Sequence, residues 1–170
     1  ASSALVTFGA IALSGNVALR ESDGFAIGQV DTVVGIFAPD NTVRISSGGA
    51  ITQSQPINAT TLDINTTGSG SATLTKDTNL IGTVLSSGGL GTGTVQVVDA
   101  SGGLTAGPIA GGGSISLTTL SGQLTVAGAI TTTGANATIS LASGTDTVLV
   151  NSKLNAGSTG TVVLKAGGSN

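Results

Sequence analysis

Histidine and cysteine are absent from all 170 residues, so any chemistry has to come from carboxylates, hydroxyls and amides. The usual nucleophile and base arrangements need an imidazole or a thiolate, and neither is available. Eight acids remain: Glu21, Asp23, Asp31, Asp40, Asp63, Asp77, Asp99 and Asp146. Two carboxylates flanking a glycosidic bond can divide acid and base work between them. A carbohydrate-active parallel β-helix enzyme, of the polysaccharide lyase or hydrolase type, is therefore the enzymatic alternative for this chain. The places of the acids argue against it. Most sit at or beside presumed corners, where Asp is favoured because its side chain bonds the local backbone. We read them as solvated turn acids, with a catalytic pair or a weak cation site as the alternatives.

Other short motifs resolve the same way. Gly88 to Val95 is superficially similar to a calcium-binding nonapeptide repeat. That repeat needs an Asp where Gly93 stands and at least one further copy. Gly111-Gly-Gly113 lacks the Gly-Lys-Ser/Thr of a phosphate loop. Both read as Gly-rich corners. Asn58-Ala-Thr60, Asn65-Thr-Thr67 and Asn136-Ala-Thr138 match the glycosylation triplet, which arises by chance in a chain rich in Ser and Thr. Asn79 and Asn136 could instead lie inward at corners and stack amide to amide, provided every buried amide is bonded. Thr131-Thr-Thr133 raises an ice-binding face, but the matching place one repeat later holds Asn155-Ala-Gly157, so the register of such an array fails there. The sequence thus assigns no catalytic, cofactor-binding or metal-ligating residue, and no cofactor.

The elements around these residues are set by repetition. Ile115-Ser-Leu117 returns as Ile139-Ser-Leu141 at a spacing of 24, and again as Val162-Val-Leu164 at a spacing of 23. Leu124-Thr-Val126 is echoed by Val148-Leu-Val150, and Ile130 by Leu154, each at a spacing of 24. Within each run apolar residues alternate with small or polar ones, which is a strand signal with one face buried. Gly, Asn and Ser clusters separate the runs. Three short strands per unit, repeated along the chain, predict a coiled solenoid. One rung cannot bury its own apolar face, but stacked rungs can.

The pattern extends upstream. Ala4 to Leu13 reads as one or two strands. Val17-Ala-Leu19 opens a unit that turns through Arg20 to Gly24, continues through Phe25-Ala-Ile27 and Val30 to Val34, and closes at Pro39-Asp-Asn41. Val43-Arg-Ile45 follows Val17-Ala-Leu19 at 26, and Val95-Gln-Val97 precedes Ile115-Ser-Leu117 by 20. The period therefore wanders between 20 and 26, and the variation falls in corners, because an extra residue inside a strand would flip its faces. No segment has a 3.6-residue period. Gly, at 28 residues, is too frequent for helices.

Composition fits a thin, regular core. Charged residues are 8% and aromatics 2%, with Phe8, Phe25 and Phe37 the only large rings. Val, Ile, Leu and Ala must do the packing. The net charge of −3 offers no basic patch for nucleic acid. The longest near-apolar run, Ala4 to Leu13, is far below the roughly 18–20 residues of a membrane-spanning helix. Lack of Cys is compatible with an extracellular bacterial protein. The chain begins Ala1-Ser-Ser with no basic leader, so an export signal is expected outside this sequence.

Several stretches resemble the repeats of filamentous-haemagglutinin-like exoproteins, the large adhesins of the two-partner secretion type. They are Ser47 to Gln53, Pro56-Ile-Asn-Ala59, Leu62-Asp-Ile64, Ala72-Thr-Leu74 and Asn79-Leu-Ile-Gly82. The similarity continues through Gly113 to Leu117, Gln123 to Ile130 and Gly160 to Leu164. It implies a right-handed parallel β-helix projecting from the outer membrane as a rod. It implies an extracellular or bacterial cell-surface location, and partners on a host or neighbouring cell, or a polysaccharide, met through this chain or through regions outside it.

The reading is one all-β domain over 1–170, a right-handed parallel β-helix with about 20–26 residues per rung, forming a rigid adhesin stalk or surface filament. It is not expected to be an enzyme, to bind nucleic acid or to enter a membrane. Ile115, Leu117, Ile139, Leu141, Val162 and Leu164 should point inward, with Ser116, Ser140 and Val163 outward. Neither end carries a polar cap. The chain is thus expected to continue into a longer rod or to stack head to tail.

Overall fold

A computed structural model describes residues 6–168. Ala4 and Leu5, the start of the first expected run, lie outside the described residues. The described chain is all strand and turn, without a helix. It begins with β1 (Thr7–Phe8), β2 (Ala10–Ile11) and β3 (Val17–Glu21). The next turn brings β4 (Phe25–Ile27), β5 (Gln29–Val30), β6 (Val33–Val34) and the long β7 (Ile36–Ser47). Then come β8 (Ile51–Gln53) and β9 (Ile57–Thr66), and β10 (Ala72–Leu74) and β11 (Leu80–Leu85). Three-stranded turns follow: β12 (Val95–Asp99), β13 (Leu104–Ala106), β14 (Ile109–Gly111), then β15 (Ile115–Thr119), β16 (Leu124–Val126), β17 (Ile130–Thr132). The last are β18 (Thr138–Ser143), β19 (Val148–Val150), β20 (Leu154–Asn155) and β21 (Thr161–Lys165).

These strands stack as a parallel β-solenoid of about 7 turns. One sheet runs β1-β4-β8-β10-β12-β15-β18-β21, a second runs β2-β7-β9-β11-β13-β16-β19 with β3 also on β7, and a third is β14-β17-β20. Ile115 pairs with Val95 and Ile139, and Ile139 with Val162, as the repeats predict. The longest turn of the first sheet, from Phe25 to its register partner Ile51, reaches the upper limit of the expected period. The shortest, from Thr7 to Ala26, falls just under the lower limit. The turn from Phe25 to Ile51 carries an antiparallel hairpin, β5 on β6, where continuous strand was expected. Asp31 turns it with a φ of 53°. Pro39 to Asn41 does not end its unit; β7 runs through it, with a register shift between Ala38 and Thr42.

One apolar core fills the interior. Phe25, Ile51, Ala72, Val95, Ile115 and Ile139 form one buried column of the first sheet. Val43, Leu62, Val84, Ala106 and Val126 form its counterpart on the second. Ile115, Leu117, Ile139 and Leu141 point inward, while Ser116 and Ser140 are half-buried on the outer face. Val162 and Leu164 keep the register but are 40% and 50% exposed, because β21 is the edge strand among the described residues. Phe8 meets Phe25 edge to face at 6.5 Å between ring centres, whereas Phe37 lies on the surface.

Candidate functional site

One corner of the coil carries a stack of buried polar groups. In β12, β15 and β18 the inward alternation of two apolar residues is followed by a polar third: Asp99, Thr119 and Ser143. These three pair in register and are buried. Asn79 occupies the corresponding corner one turn earlier, since its carbonyl accepts the Ala100 N–H at 2.8 Å. It is wholly buried. Its Oδ1 accepts the Ile57 N–H at 2.8 Å, and its Nδ2 donates to the Val98 carbonyl at 2.9 Å. Its amide also bonds the Gln53 amide of the turn before. The expected amide pairing between turns therefore exists, but with Gln53. Asn136 takes no part: it is exposed, in a left-handed turn at φ 57°.

Asp99 repeats the arrangement with a carboxyl group. Its Oδ1 accepts the Ile81 N–H at 2.9 Å, and the Thr119 hydroxyl lies 3.0 Å from its Oδ2. Burial pushes its pKa above the ordinary carboxylate value, against the opposing pull of the Ile81, Thr119 and Ala100 hydrogen bonds. Asp63 differs. It sits between inward Leu62 and Ile64 and so points outward, yet it is buried under the corner that follows β11. The Ser87 N–H and hydroxyl, the Arg44 Nε and the Asn65 amide all donate to it, at 2.9, 2.6, 2.7 and 3.0 Å. Burial alone would raise its pKa, but these donors together hold it below the ordinary value.

Two of the eight acids are therefore not solvated turn acids, contrary to expectation. Both lie in strands, and period-2 alternation could have flagged Asp99. Val95 and Val97 point inward, so Asp99 must as well. Asp23, Asp31, Asp40, Asp77 and Asp146 are exposed, and Glu21 is half-buried against Ser22. Among the described residues Asp63 and Asp99 share no hydrogen-bond partner. Among the described residues no three of His, Cys, Asp and Glu converge as a metal-holding group. An open groove of about 420 Å³ runs over β3, β7 and β9, edged by Arg20, Glu21, Ser46, Asn65 and Thr67. It holds one carboxylate, Glu21, so it offers polar contacts rather than an acid pair.

The Gly-rich stretches are corners with a packing reason. A Cβ on Gly93 would collide with the Gly70 carbonyl oxygen, and one on Gly113 with the Gly93 carbonyl oxygen. Gly91 N–H donates to Thr66 Oγ1, tying that corner to the turn below. Asn65, in one glycosylation triplet, is engaged with Asp63 and Gly88. Thr131 faces Ala110 and Asn155 in register, so no threonine array forms there. A different column does align: Thr42, Thr61, Thr83, Thr105 and Thr125 pair in succession on the outer side of the second sheet. Cross-strand threonine pairs of this kind stabilise a sheet by a few tenths to about 1 kcal/mol each. Unequal turn lengths hid that column in the sequence.

The geometry defines a β-solenoid repeat protein. Compared with known proteins, the chain matches no family model, no curated protein and no solved structure.

Proposed function

We propose that the chain is a segment of a rigid extracellular β-solenoid, an adhesin stalk or surface filament of a bacterial cell. The observation that carries this reading is the unbroken apolar core shared by about 7 turns, with inward columns running along one axis. Each turn advances the rod by about 4.8 Å, so repeats convert sequence into reach. The similarity of the repeats to filamentous-haemagglutinin-like exoproteins supports the surface location. Enzymatic work is not part of the reading, because the two buried acids are each taken up by their own donors. Attachment to a host cell, a neighbouring cell or a polysaccharide would fall to other regions of the protein. Head-to-tail self-association belongs to the same reading.

The test is a tandem fusion of two copies, compared with one by electron microscopy and small-angle scattering. A stalk segment gives a straight particle of doubled length and unchanged width. A flexible joint or a globular dimer refutes the reading. Release of new reducing ends or unsaturated uronates from pectin-like polysaccharides would refute it in favour of the enzyme.

A further inference from the structure

We propose that Asp99 is a neutral carboxylic acid in the folded coil, and that its ionisation as pH rises loosens the corner it closes. The first ground is its surroundings. Asp99 is 0% exposed and points into the coil. The strands paired with β12, which are β10 and β15, carry no charged residue, nor does β11, whose Ile81 it bonds. The corner segments 100–103 and 120–123 carry none either. The nearest charges along the chain are Lys76, half-buried, and Asp77, exposed, in the loop that precedes Asn79. The one ion pair among the described residues is Arg44 with Asp63, elsewhere on the coil. A carboxylate at this position would have no counter-charge, and a buried unpaired charge takes up a proton instead.

The second ground is a count of protons. The Thr119 hydroxyl has one hydrogen but lies within reach of two acceptors, Asp99 Oδ2 at 3.0 Å and the Ser121 carbonyl at 2.8 Å. With Asp99 ionised, the hydroxyl is drawn to Oδ2 and Ser121 keeps only its longer bond from the Gly103 N–H, at 3.2 Å. With Asp99 protonated, its O–H donates to Thr119 Oγ1 and the Thr119 O–H donates to Ser121. Every group is then satisfied, and Oδ1 still accepts the Ile81 N–H.

The third ground is the equivalent residue one turn earlier. Asn79 makes the matching bond from its Oδ1 to Ile57 and uses its N–H to donate onward. A protonated Asp is the closest chemical equivalent of that amide, with one acceptor and one donor. The consequence follows from linkage. A carboxyl whose pKa is higher in the folded than in the unfolded chain contributes its full stability below the unfolded value of 3.8, and loses it as pH rises to the folded value. This proposal is independent of the rod's biological role.

The experiment compares the whole chain with Asp99→Asn by urea unfolding, from about pH 3 to about pH 9. Below the unfolded value the two should be equally stable. As pH rises, the folded-to-unfolded ratio of the parent should fall relative to Asp99→Asn by up to tenfold per unit, then level off. A difference that does not vary with pH, or an Asp99→Asn variant weaker at every pH, overturns the proposal. A second measurement on the parent covers a variant that fails to fold. Infrared spectra should show a protonated-carboxyl C=O band that persists after the exposed acids have ionised and vanishes on unfolding; absence of that band also overturns the proposal.

Discussion

Replacing Asn79 by Ala removes the hub that joins three consecutive turns. The side chain accepts the Ile57 N–H at 2.8 Å and donates to the carbonyls of Val98 at 2.9 Å and Leu74 at 3.3 Å. It also exchanges bonds with the Gln53 amide. Alanine leaves the Ile57 N–H unpaired inside the coil and removes a partner from two carbonyls. Each buried orphan costs about 1–3 kcal/mol, with the N–H at the upper end because it has no second site. Two such losses plus the small cavity give about 3–6 kcal/mol. A whole domain is stable by only about 5–15 kcal/mol, so the variant should sit close to unfolding. Urea titration followed by circular dichroism measures this: the midpoint should drop by about 1.5–3 M with an unchanged slope, using a slope of about 2 kcal/mol per M. Ser140→Ala is the matched control. Its side chain is on the outer face and makes no hydrogen bond among the described residues, so it should change stability by less than about 0.5 kcal/mol. An Asn79→Ala loss below about 1 kcal/mol, or one equal to the Ser140→Ala loss, would refute the argument that corner amides hold the turns together.

Leu141→Asp places a carboxylate at a wholly buried inward position, with Lys165 of the paired strand in register with the neighbouring outward Ala142, and should abolish cooperative thermal unfolding; a melting temperature unchanged within error would sink the inward register. Thr132→Val should stabilise the coil by up to about 1 kcal/mol, since Thr132 Oγ1 is buried without a hydrogen-bond partner, and a weaker variant in chemical denaturation would contradict this. Asp63→Asn should weaken the coil at neutral pH and flatten its acid unfolding, because a carboxylate with a depressed pKa contributes above the unfolded value of 3.8 and loses that contribution as pH falls through the folded one. Arg44→Ala should cost less than about 1 kcal/mol in the same titration, its guanidinium being 57% exposed and screened by solvent.

The stacking was legible because a strand's side-chain period is fixed while a corner's length is not. Ile115, Ile139 and Val162 announce one column through near-constant spacing, and their neighbours follow by alternation. The hairpin at Asp31 was not legible, because Val30 and Val33 carry the same apolar signature whether they continue a coil or fold back on each other. Exposure of Val162 and Leu164 depends on what lies beyond β21, which periodicity does not encode. The corner polar groups were half legible. Asn79 was readable as an inward corner amide, but Asp99 was grouped with turn acids by residue type, although its place after Val95 and Val97 fixes its direction. Asp63 points outward as alternation requires. Its burial comes from Ser87 in the following turn, a contact no local pattern can show.

The two buried acids act on the coil in opposite directions, and their pH windows meet at one point. Asp63, rich in donors, is most stabilising once ionised, so its contribution declines below the unfolded value of 3.8. Asp99, without a cation, is most stabilising while protonated, so its contribution declines above that value. Together they place the maximum of their joint contribution near the unfolded value rather than at neutrality. Asp63→Asn should therefore remove the acid limb of the stability profile and leave the alkaline one. Asp99→Asn should do the reverse, and the double variant should be nearly flat across both windows. The two sites share no partner, so the single effects should add to within about 0.3–0.5 kcal/mol in the double variant. A larger departure from additivity would mean that the corner of Asp99 and the outer network of Asp63 are coupled through the turns between them.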